Sequence, residues 1–512
     1  SVIPARPYFV DTPVAQAAIT IRDAPPEHSL VARLTDARGR RHSEVRISSN
    51  GPLNTVVLPL TGRLSNFNWL DVALLDADGK QLDAARRYLL APLPRKPFLD
   101  EFQIGTWACS SFMPQYLRPA LHGLMKEAGI TEGLQSRSGY LSMLAGDLWP
   151  ISTAGRVPGF ARWDNDETVR KPCLSDPKNR QTMADRARTS AGTDRGICPL
   201  FLYLQDETSL VKDPRDLDVC SCEHCVARFR IWLQKRYADL ATLNGEWRTD
   251  YASWDDVGFA AYNDVRGTNT FAPWLMYRRF MDWTWAEGIQ WAKQNAQQID
   301  PELRVGMPNT FGPNPFSGRD YYQLAQVNDY RMEYARETRS TRGDGFYDVF
   351  RSFAPDVRDH PWVGYKFDDE TIRFAPWWTA FHGATGFSVY GTMSLFAGKN
   401  SWAQIFPTLQ HTPRGLLYAD QARELKSGIG RILMEGKRTQ APIAILWSQP
   451  SMLVAWAISG QTGHPMSKGK KNAYGAHFAS REAFRAAVIG SGRQFDYVAE
   501  EQIEKGALDK YS

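Results

Sequence analysis

Four cysteines are the residues of this sequence best placed to act together on one atom. Cys220, Cys222 and Cys225 lie in one short segment, and Cys173 lies upstream in Arg-Lys-Pro-Cys. With Cys173 as a fourth ligand, these thiols would form a tetrahedral site of the kind that suits zinc. Because four thiolates leave no open coordination position, we expect the zinc to be structural. The alternative is that the thiols stay reduced without metal or are partly disulfide-bonded.

Two groups of acidic residues follow strand-like segments. Glu207 ends Tyr-Leu-Gln-Asp-Glu and Glu370 ends Tyr-Lys-Phe-Asp-Asp-Glu, each directly before a threonine. Two carboxyl groups that face each other can cleave a glycosidic bond. One holds a proton for the leaving oxygen, and the other stays ionised and attacks the anomeric carbon. The distance between them, which decides between retention and inversion, does not follow from the sequence.

We predict Glu207 and Glu370 as the two catalytic carboxyl groups. Asp368 and Asp369 are the alternatives to Glu370, because three consecutive acids cannot all face one site. Asp206 and Asp368, beside these residues, are predicted to bind the substrate. The competing interpretation is that these acids cap the helices that follow the strands.

Aromatic residues are numerous, with 17 tryptophans and 20 tyrosines. Flat rings can stack on sugar faces, although packing in the core accounts for many of them. We predict Trp377, Trp402 and Tyr365 as substrate-binding residues. For His382, which precedes a glycine turn, we expect a hydrogen-bonded structural role.

Alternating strand and helix patterns over residues 97–437 predict a (β/α)8 TIM barrel, an α/β fold. Residues 1–96 alternate in short runs separated by turns and predict a β-sandwich. Residues 438–512 predict a partial flavodoxin-like α/β domain. In the barrel, the two acidic groups follow the fourth and seventh strands, whose carboxyl ends meet at the barrel mouth. Predicted strands include 102–107, 199–204, 303–307, 330–334, 362–367 and 386–390.

Composition excludes two classes of partner. The chain has 512 residues, of which 43% are hydrophobic and 23% charged. Its net charge of +5 is spread without a basic stripe, so we expect no nucleic-acid partner. No apolar run is long enough to span a membrane. Since the chain begins at Ser1 without an initiator methionine, we expect a mature, trimmed or partial chain, in a compartment that could be cytoplasmic, periplasmic or secreted.

The cysteine motif and its surroundings resemble glycoside hydrolase family 42. The segment from Cys220 through Asn244 to Trp247 is similar to the family's metal-site loop and the turn that follows it. Cys173 matches the position of the family's fourth zinc ligand. The segment that begins at His382, His-Gly-Ala-Thr-Gly, resembles the family's His-Gly-Ala-Asp-Gly. The resemblance implies a barrel with retaining chemistry, and a second domain linked to trimerisation. The strand before Glu207 matches the one that carries the family's acid/base, so the resemblance implies Glu207 as the acid/base, and we predict Glu370 as the nucleophile.

The resemblance implies a retaining exo-glycoside hydrolase, β-galactosidase-like, that removes terminal β-linked sugars from oligo- or polysaccharides. One residue departs from the family: Asp206 stands where an asparagine usually contacts the sugar's 2-hydroxyl. Other specificities therefore stay open, namely a β-mannoside, a β-glucoside or an acidic-polysaccharide fragment, as does a catalytically inactive carbohydrate-binding barrel. The expected partners are a carbohydrate substrate and further copies of the chain, as a trimer or dimer.

Overall fold

The structure is a computed structural model of residues 1–512. It describes all of them except residues 7, 11, 23–26, 108–113, 136, 153–156, 213–214, 308–313, 333–345, 364–367, 391–394, 396–408, 440–441, 460–474 and 512. The chain divides into two compact units. The first unit consists of Ser1–Ala154, Ala191–Leu202 and Val389–Arg431, and the second of Gly155–Ser190, Tyr203–Ser388 and Ile432–Ser512. Within the part of the chain that the structure describes, no helix has both the length and the apolar character needed to cross a membrane.

The N-terminal part of the first unit consists of two antiparallel sheets. One sheet has three strands and the other has four. Alternation along the strands decides which side chains enter the core, as in Leu53–Pro59, where every second residue is buried. A hairpin turn at Asp76 joins two of these strands, with the Asp76 carboxylate accepting from Lys80 N at 2.8 Å. The strands are Val2–Pro4, Val14–Thr20, Ser29–Asp36, Arg41–Ser48, Leu53–Pro59, Phe67–Leu75 and Gln81–Leu90.

The rest of the first unit alternates strands with helices, and its strands run parallel. Ile151 pairs with Leu134, Ser152 pairs with Leu202, and Thr131 N donates to Ile104 O at 2.8 Å. The strands predicted over 102–107 and 199–204 are therefore present. The strands are Gln103–Thr106, Glu132–Gln135, Trp149–Ser152 and Phe201–Tyr203, and the helices include Lys96–Leu99, Arg118–Glu127, Tyr140–Ala145 and Pro413–Glu424.

The second unit continues the strand–helix alternation. Tyr330 pairs in parallel with Arg358, and Ser388 N donates to Pro361 O at 2.9 Å. Gly306 allows close approach of neighbouring strands, because a side-chain carbon there would lie 2.0 Å from Tyr330 O. Its strands are Arg304–Gly306, Tyr330–Arg331, Arg358–Asp359, Trp362–Val363 and Gly386–Val389. Its helices include Glu223–Gln234, Leu240–Trp247, Tyr262–Val265, Ala272–Gln297, Tyr321–Val327, Phe346–Phe353 and Asp369–Phe381, and Pro177–Asp194 lies mostly within it.

These strands overlap those expected over 303–307, 330–334, 362–367 and 386–390. The later parts of two of them, 333–334 and 364–367, lie outside the described residues. Arg358–Asp359 is a short strand that the sequence pattern did not indicate. With only two residues it is too short for a periodic signal.

The C-terminal segment of the second unit contains a parallel strand pair, Ala444–Leu446 with Asp496–Val498. These strands pack through aromatic rings, since the Trp447 ring lies 5.9 Å from Tyr321 and 5.2 Å from Tyr497. The surrounding helices are Gln449–Ser459, Gly475–Gly490 and Glu500–Ile503. The predicted domain boundaries, 1–96, 97–437 and 438–512, stay predictions.

Candidate active site and cysteine cluster

Glu207 follows the strand Phe201–Tyr203, as the sequence predicts. Its φ is 46°, in the left-handed region that side-chain-bearing residues seldom adopt. Thr208 and Ser209 directly after it are buried. Such a backbone persists only where the surroundings enforce it, which is common at functional sites.

The Glu207 carboxylate contacts a cation that sequence reasoning missed. Arg162 Nη1 donates to Glu207 Oε2 at 3.0 Å, and both side chains are about one-third exposed. Next to them, Tyr203 Oη donates to Asp206 Oδ1 at 3.1 Å. Arg162 and Glu207 are 45 positions apart in the sequence, so local spacing gives no signal for their contact. The side chains of Arg162 and Glu207 thus form a partly exposed ion pair beyond the end of the strand.

The second acidic group begins a helix. Asp368 is the N-cap of Asp369–Phe381 and accepts from Thr371 N at 2.8 Å. Asp369 and Glu370 form the first turn of that helix, and all three acids are exposed. The capping interpretation therefore applies to Asp368, while the catalytic roles of Glu207, Glu370 and Asp369 stay predictions.

Of the predicted aromatic residues, only Trp377 falls within the described ranges. It is partly buried on the helix Asp369–Phe381, with its ring 6.2 Å from Phe381. Tyr365 and Trp402 lie outside the described residues. The substrate-binding role of these three residues stays a prediction.

His382 has the hydrogen-bonded role expected for it. Its Nδ1 lies 2.9 Å from Asp348 Oδ1, and Arg351 Nη2 donates to the same oxygen at 3.2 Å. Burial raises the pKa of Asp348, but the charges and hydrogen bonds of His382 and Arg351 outweigh burial and hold that pKa below its ordinary value. The histidine is thus fixed by a buried ion pair.

The four predicted ligands Cys173, Cys220, Cys222 and Cys225 come together. Their sulfur atoms all lie within 4.8 Å of one another, and none of the four is in a disulfide. Cys173 Sγ lies 3.3 Å from Cys222 Sγ and 3.5 Å from Cys225 Sγ. Hydrogen bonds with the other three thiols lower the pKa of Cys222. In a tetrahedral zinc site with bonds of about 2.3 Å, sulfur atoms lie about 3.8 Å apart, so the donor set fits zinc.

Local structure holds these sulfur atoms in place. Cys222 is the N-cap of the helix Glu223–Gln234, and its sulfur accepts from Cys225 N at 3.4 Å. Ser175 N donates to Cys173 Sγ at 3.2 Å, and Arg170 N donates to Cys220 Sγ at 3.2 Å. Backbone N–H groups directed at sulfur stabilise thiolates, the form that binds metal.

Arg170 connects the cysteine cluster to the backbone around Glu207 and Arg162. Its buried guanidinium donates to Leu210 O at 3.1 Å, to Gly159 O at 2.9 Å, and to Ala161 O and Pro172 O at 2.6 Å each. Burial lowers the pKa of Arg170 to about 10, so it stays charged at neutral pH. One side chain thus ties three chain segments together.

Comparison with known proteins confirms the family resemblance. Residues 213–353 match the model of glycoside hydrolase family 42, described as beta-galactosidase. A beta-galactosidase, bgaB, from Geobacillus kaustophilus is 31% identical over 118 residues, which are 22% of this chain and 16% of that protein. The family match contains three of the cysteines but neither Glu207 nor Glu370.

Solved structures show the fold. The beta-galactosidase from Bacillus circulans sp. alkalophilus has a TM-score of 0.59 at 16% identity, over 81% of this chain and 66% of that one. The beta-galactosidase from the haloarchaeon Halorubrum lacusprofundi has a TM-score of 0.58 at 17% identity, over 78% of this chain and 66% of that one. The chain thus spans less than two-thirds of these proteins, and the likeness confirms the predicted TIM-barrel fold class.

Replacing Arg170 tests whether its guanidinium holds together the segments that contain Gly159, Pro172 and Leu210. Arg170→Met should lower the free energy of unfolding by about 3 kcal/mol or more, because it leaves buried carbonyl oxygens without donors. Arg170→Lys should recover only part of the loss, since an ammonium lacks the planar fork. Denaturant unfolding monitored by tryptophan fluorescence measures both values.

Lys171→Met is the matched control, because the Lys171 side chain is 70% exposed. It should change the free energy of unfolding by no more than about 0.5 kcal/mol. Equal effects of the two Met variants would contradict the role assigned to Arg170.

Proposed function

We propose that this protein is a retaining exo-glycoside hydrolase, β-galactosidase-like, that removes terminal β-linked sugars. The observation that carries the proposal is Glu207, a partly exposed carboxyl group whose backbone is left-handed, four residues beyond the end of the strand Phe201–Tyr203. In barrel enzymes the reacting groups lie at such strand ends. The match of residues 213–353 to a family described as beta-galactosidase supports the same activity.

The mechanism uses two carboxyl groups in turn. Glu207, protonated, donates its proton to the glycosidic oxygen while Glu370 attacks the anomeric carbon, so that the bond to the leaving group breaks as a glycosyl ester forms. Glu207, now ionised, removes a proton from water, whose oxygen attacks the same carbon and releases Glu370. Two inversions give net retention. Asp369 is the second candidate for the nucleophile.

Arg162 and Asp206 are proposed to contact the substrate and to influence which sugar it contains. Arg162, which contacts Glu207 in this structure, can also donate hydrogen bonds to sugar hydroxyl groups, which are good acceptors. Asp206 offers only acceptor oxygens when ionised, whereas the asparagine usual in the family can both donate and accept. A β-mannoside or β-glucoside is therefore the second candidate substrate, and a panel of nitrophenyl glycosides separates it from a β-galactoside.

The cysteine cluster is proposed to hold one structural zinc ion. The four thiols supply a complete tetrahedral ligand set, so the ion has no open position for substrate or water. Its effect would be to fasten Cys173 to the segment that begins at Cys220. The zinc thus supports the site without taking part in a bond-breaking step.

Chemical rescue tests the nucleophile. Glu370→Ala should reduce turnover of an aryl β-glycoside below detection, and azide should restore it by forming the α-glycosyl azide, because a small anion can occupy the vacated space. Liquid chromatography and NMR identify the product. Asp368→Ala and Asp369→Ala are the matched controls, and rescue in either of them would move the assignment.

Glu207→Ala completes the mechanistic test. It should slow substrates with poor leaving groups by about 10²- to 10⁴-fold and activated aryl glycosides much less, because activated groups leave without a proton. Full activity of both Glu207→Ala and Glu370→Ala would reject the proposed hydrolase.

Metal content tests the zinc proposal. The purified chain should contain one zinc ion by plasma mass spectrometry, and Cys222→Ser should lose it and lower the Tm by about 5 to 10 °C. Cys198→Ser is the control, because Cys198 is also a buried cysteine but lies outside the cluster. Zinc retained in Cys222→Ser, or absent from the unmodified chain, would contradict the proposal.

A further inference from the structure

Four carboxyl groups lie near one another in the second unit, and we refer to Asp282, Asp320, Glu500 and Glu501 as the acid junction. Asp282 lies on the long helix Ala272–Gln297 and is 1% exposed. Asp320 is 4% exposed and caps a neighbouring helix, accepting from two backbone N–H groups and a glutamine side chain. Glu500 and Glu501 belong to the C-terminal segment. Acids this deeply buried are rare in proteins.

The acid junction connects the long helix to the C-terminal segment. Gln449 Nε2 donates to Asp282 Oδ2 at 2.8 Å, and Arg279 Nη2 donates to Glu501 Oε1 at 3.3 Å. Within the C-terminal segment, Ser448 Oγ donates to Glu500 Oε1. Carboxyl groups therefore make both of these contacts between the long helix and the C-terminal segment.

Three arginines, Arg236, Arg278 and Arg279, face the four carboxyl groups of the acid junction. Asp282 is faced by Arg278 and Arg279 from its own helix and by the like charge of Asp320. Asp320 is faced by Arg279, by Gln323 and by the negative charge of Glu501. Arg236 faces Glu501. Of the three arginines, Arg278 also lies 3.4 Å from Asp218, on the side of the cysteine cluster.

Glu500 and Tyr322 also face groups of the acid junction. Glu500 is faced by Ser448, Glu501 and Arg279. The Tyr322 phenol faces Asp320 and Glu501, and burial raises its pKa, so it is neutral at neutral pH. At neutral pH, full ionisation would leave an excess of negative charge where water is largely excluded.

Protons are the charge that can compensate. Burial, and then the charge of Asp320, raises the pKa of Asp282 well above its ordinary range. Burial, and then the charge of Glu501, raises the pKa of Asp320 to about 7, and burial raises that of Glu500. In the described ranges, the only group of three or more potential ligands close enough to hold a metal ion is the cysteine cluster.

We propose that the acid junction is a pH-sensitive latch that fastens the C-terminal segment to the long helix when Asp282 and Asp320 are protonated. A carboxyl group whose pKa is raised by folding contributes stability that is fully present below its unfolded pKa. For Asp320 that value is 3.8, and the stability is lost as the pH rises through about 7. The latch is thus closed in acid and loosened above neutral pH, independently of the proposed catalytic activity.

Hydrogen exchange on the full chain tests the latch. Protection of the backbone amides in Gln449–Ser459, corrected for intrinsic exchange rates, should fall at least tenfold between pH 5 and pH 8. Asp282→Asn and Asp320→Asn should flatten that dependence, because asparagine keeps an acceptor oxygen but carries no charge. Asp185→Asn is the matched control, since its side chain is 60% exposed on the helix Pro177–Asp194, and it should leave the dependence unchanged.

Each outcome decides for or against the latch. Protection that does not change with pH in the unmodified chain would overturn it, and so would the same tenfold loss in both asparagine variants. If Asp282→Asn does not fold, Asp320→Asn and Glu501→Gln provide the comparison. Flattening in Asp185→Asn would show that the dependence is not specific to the junction.

Discussion

The candidate site depends on the hydrogen bonds that the guanidinium of Arg170 donates to backbone carbonyl groups. It is buried, and its donors are directed at four carbonyl groups, those of Gly159, Ala161, Pro172 and Leu210. These carbonyls belong to the segments that carry Arg162, Cys173 and Glu207. Backbone carbonyls that are buried without donors are costly, so the three segments hold their arrangement only while the cation is present. A charged side chain does here what a hydrophobic contact could not, because the segments turn their polar backbones toward one another.

The cysteine cluster strengthens the same arrangement from the other side. Arg170 N donates to Cys220 Sγ, so the residue that holds the carbonyls is also bonded to the cluster. A zinc ion bound by Cys173 and the Cys220–Cys225 segment would add a second tie between the same two regions. Glu207, in its left-handed conformation, lies between them in the chain. The strained backbone is thus next to segments that Arg170 and the cysteine cluster tie together, as the persistence of strain requires.

The sequence predicts what depends on local spacing. The sequence indicates a cysteine cluster because Cys220, Cys222 and Cys225 are close in the chain. The strand before Glu207 is predicted from its run of apolar residues. The pair of Arg162 with Glu207, and the carbonyl contacts of Arg170, join positions far apart and have no periodic signature. For Asp368, a helix cap and a catalytic acid look the same in sequence, and only the structure shows the capping hydrogen bond. The buried acids Asp282 and Asp320 were missed for a related reason, because an acidic residue on a helix predicts exposure.

In the proposed mechanism, two carboxyl groups that follow separate strands divide the work of glycoside cleavage, and trapping the covalent intermediate is the sharpest test of this division. The protein is incubated with a 2-fluoro β-glycoside that carries an activated leaving group, digested, and examined by mass spectrometry. We expect mass spectrometry to find one sugar per chain, attached through an ester to Glu370. A label on a residue outside Asp368, Asp369 and Glu370, or turnover of the parent β-glycoside with inversion, would contradict it.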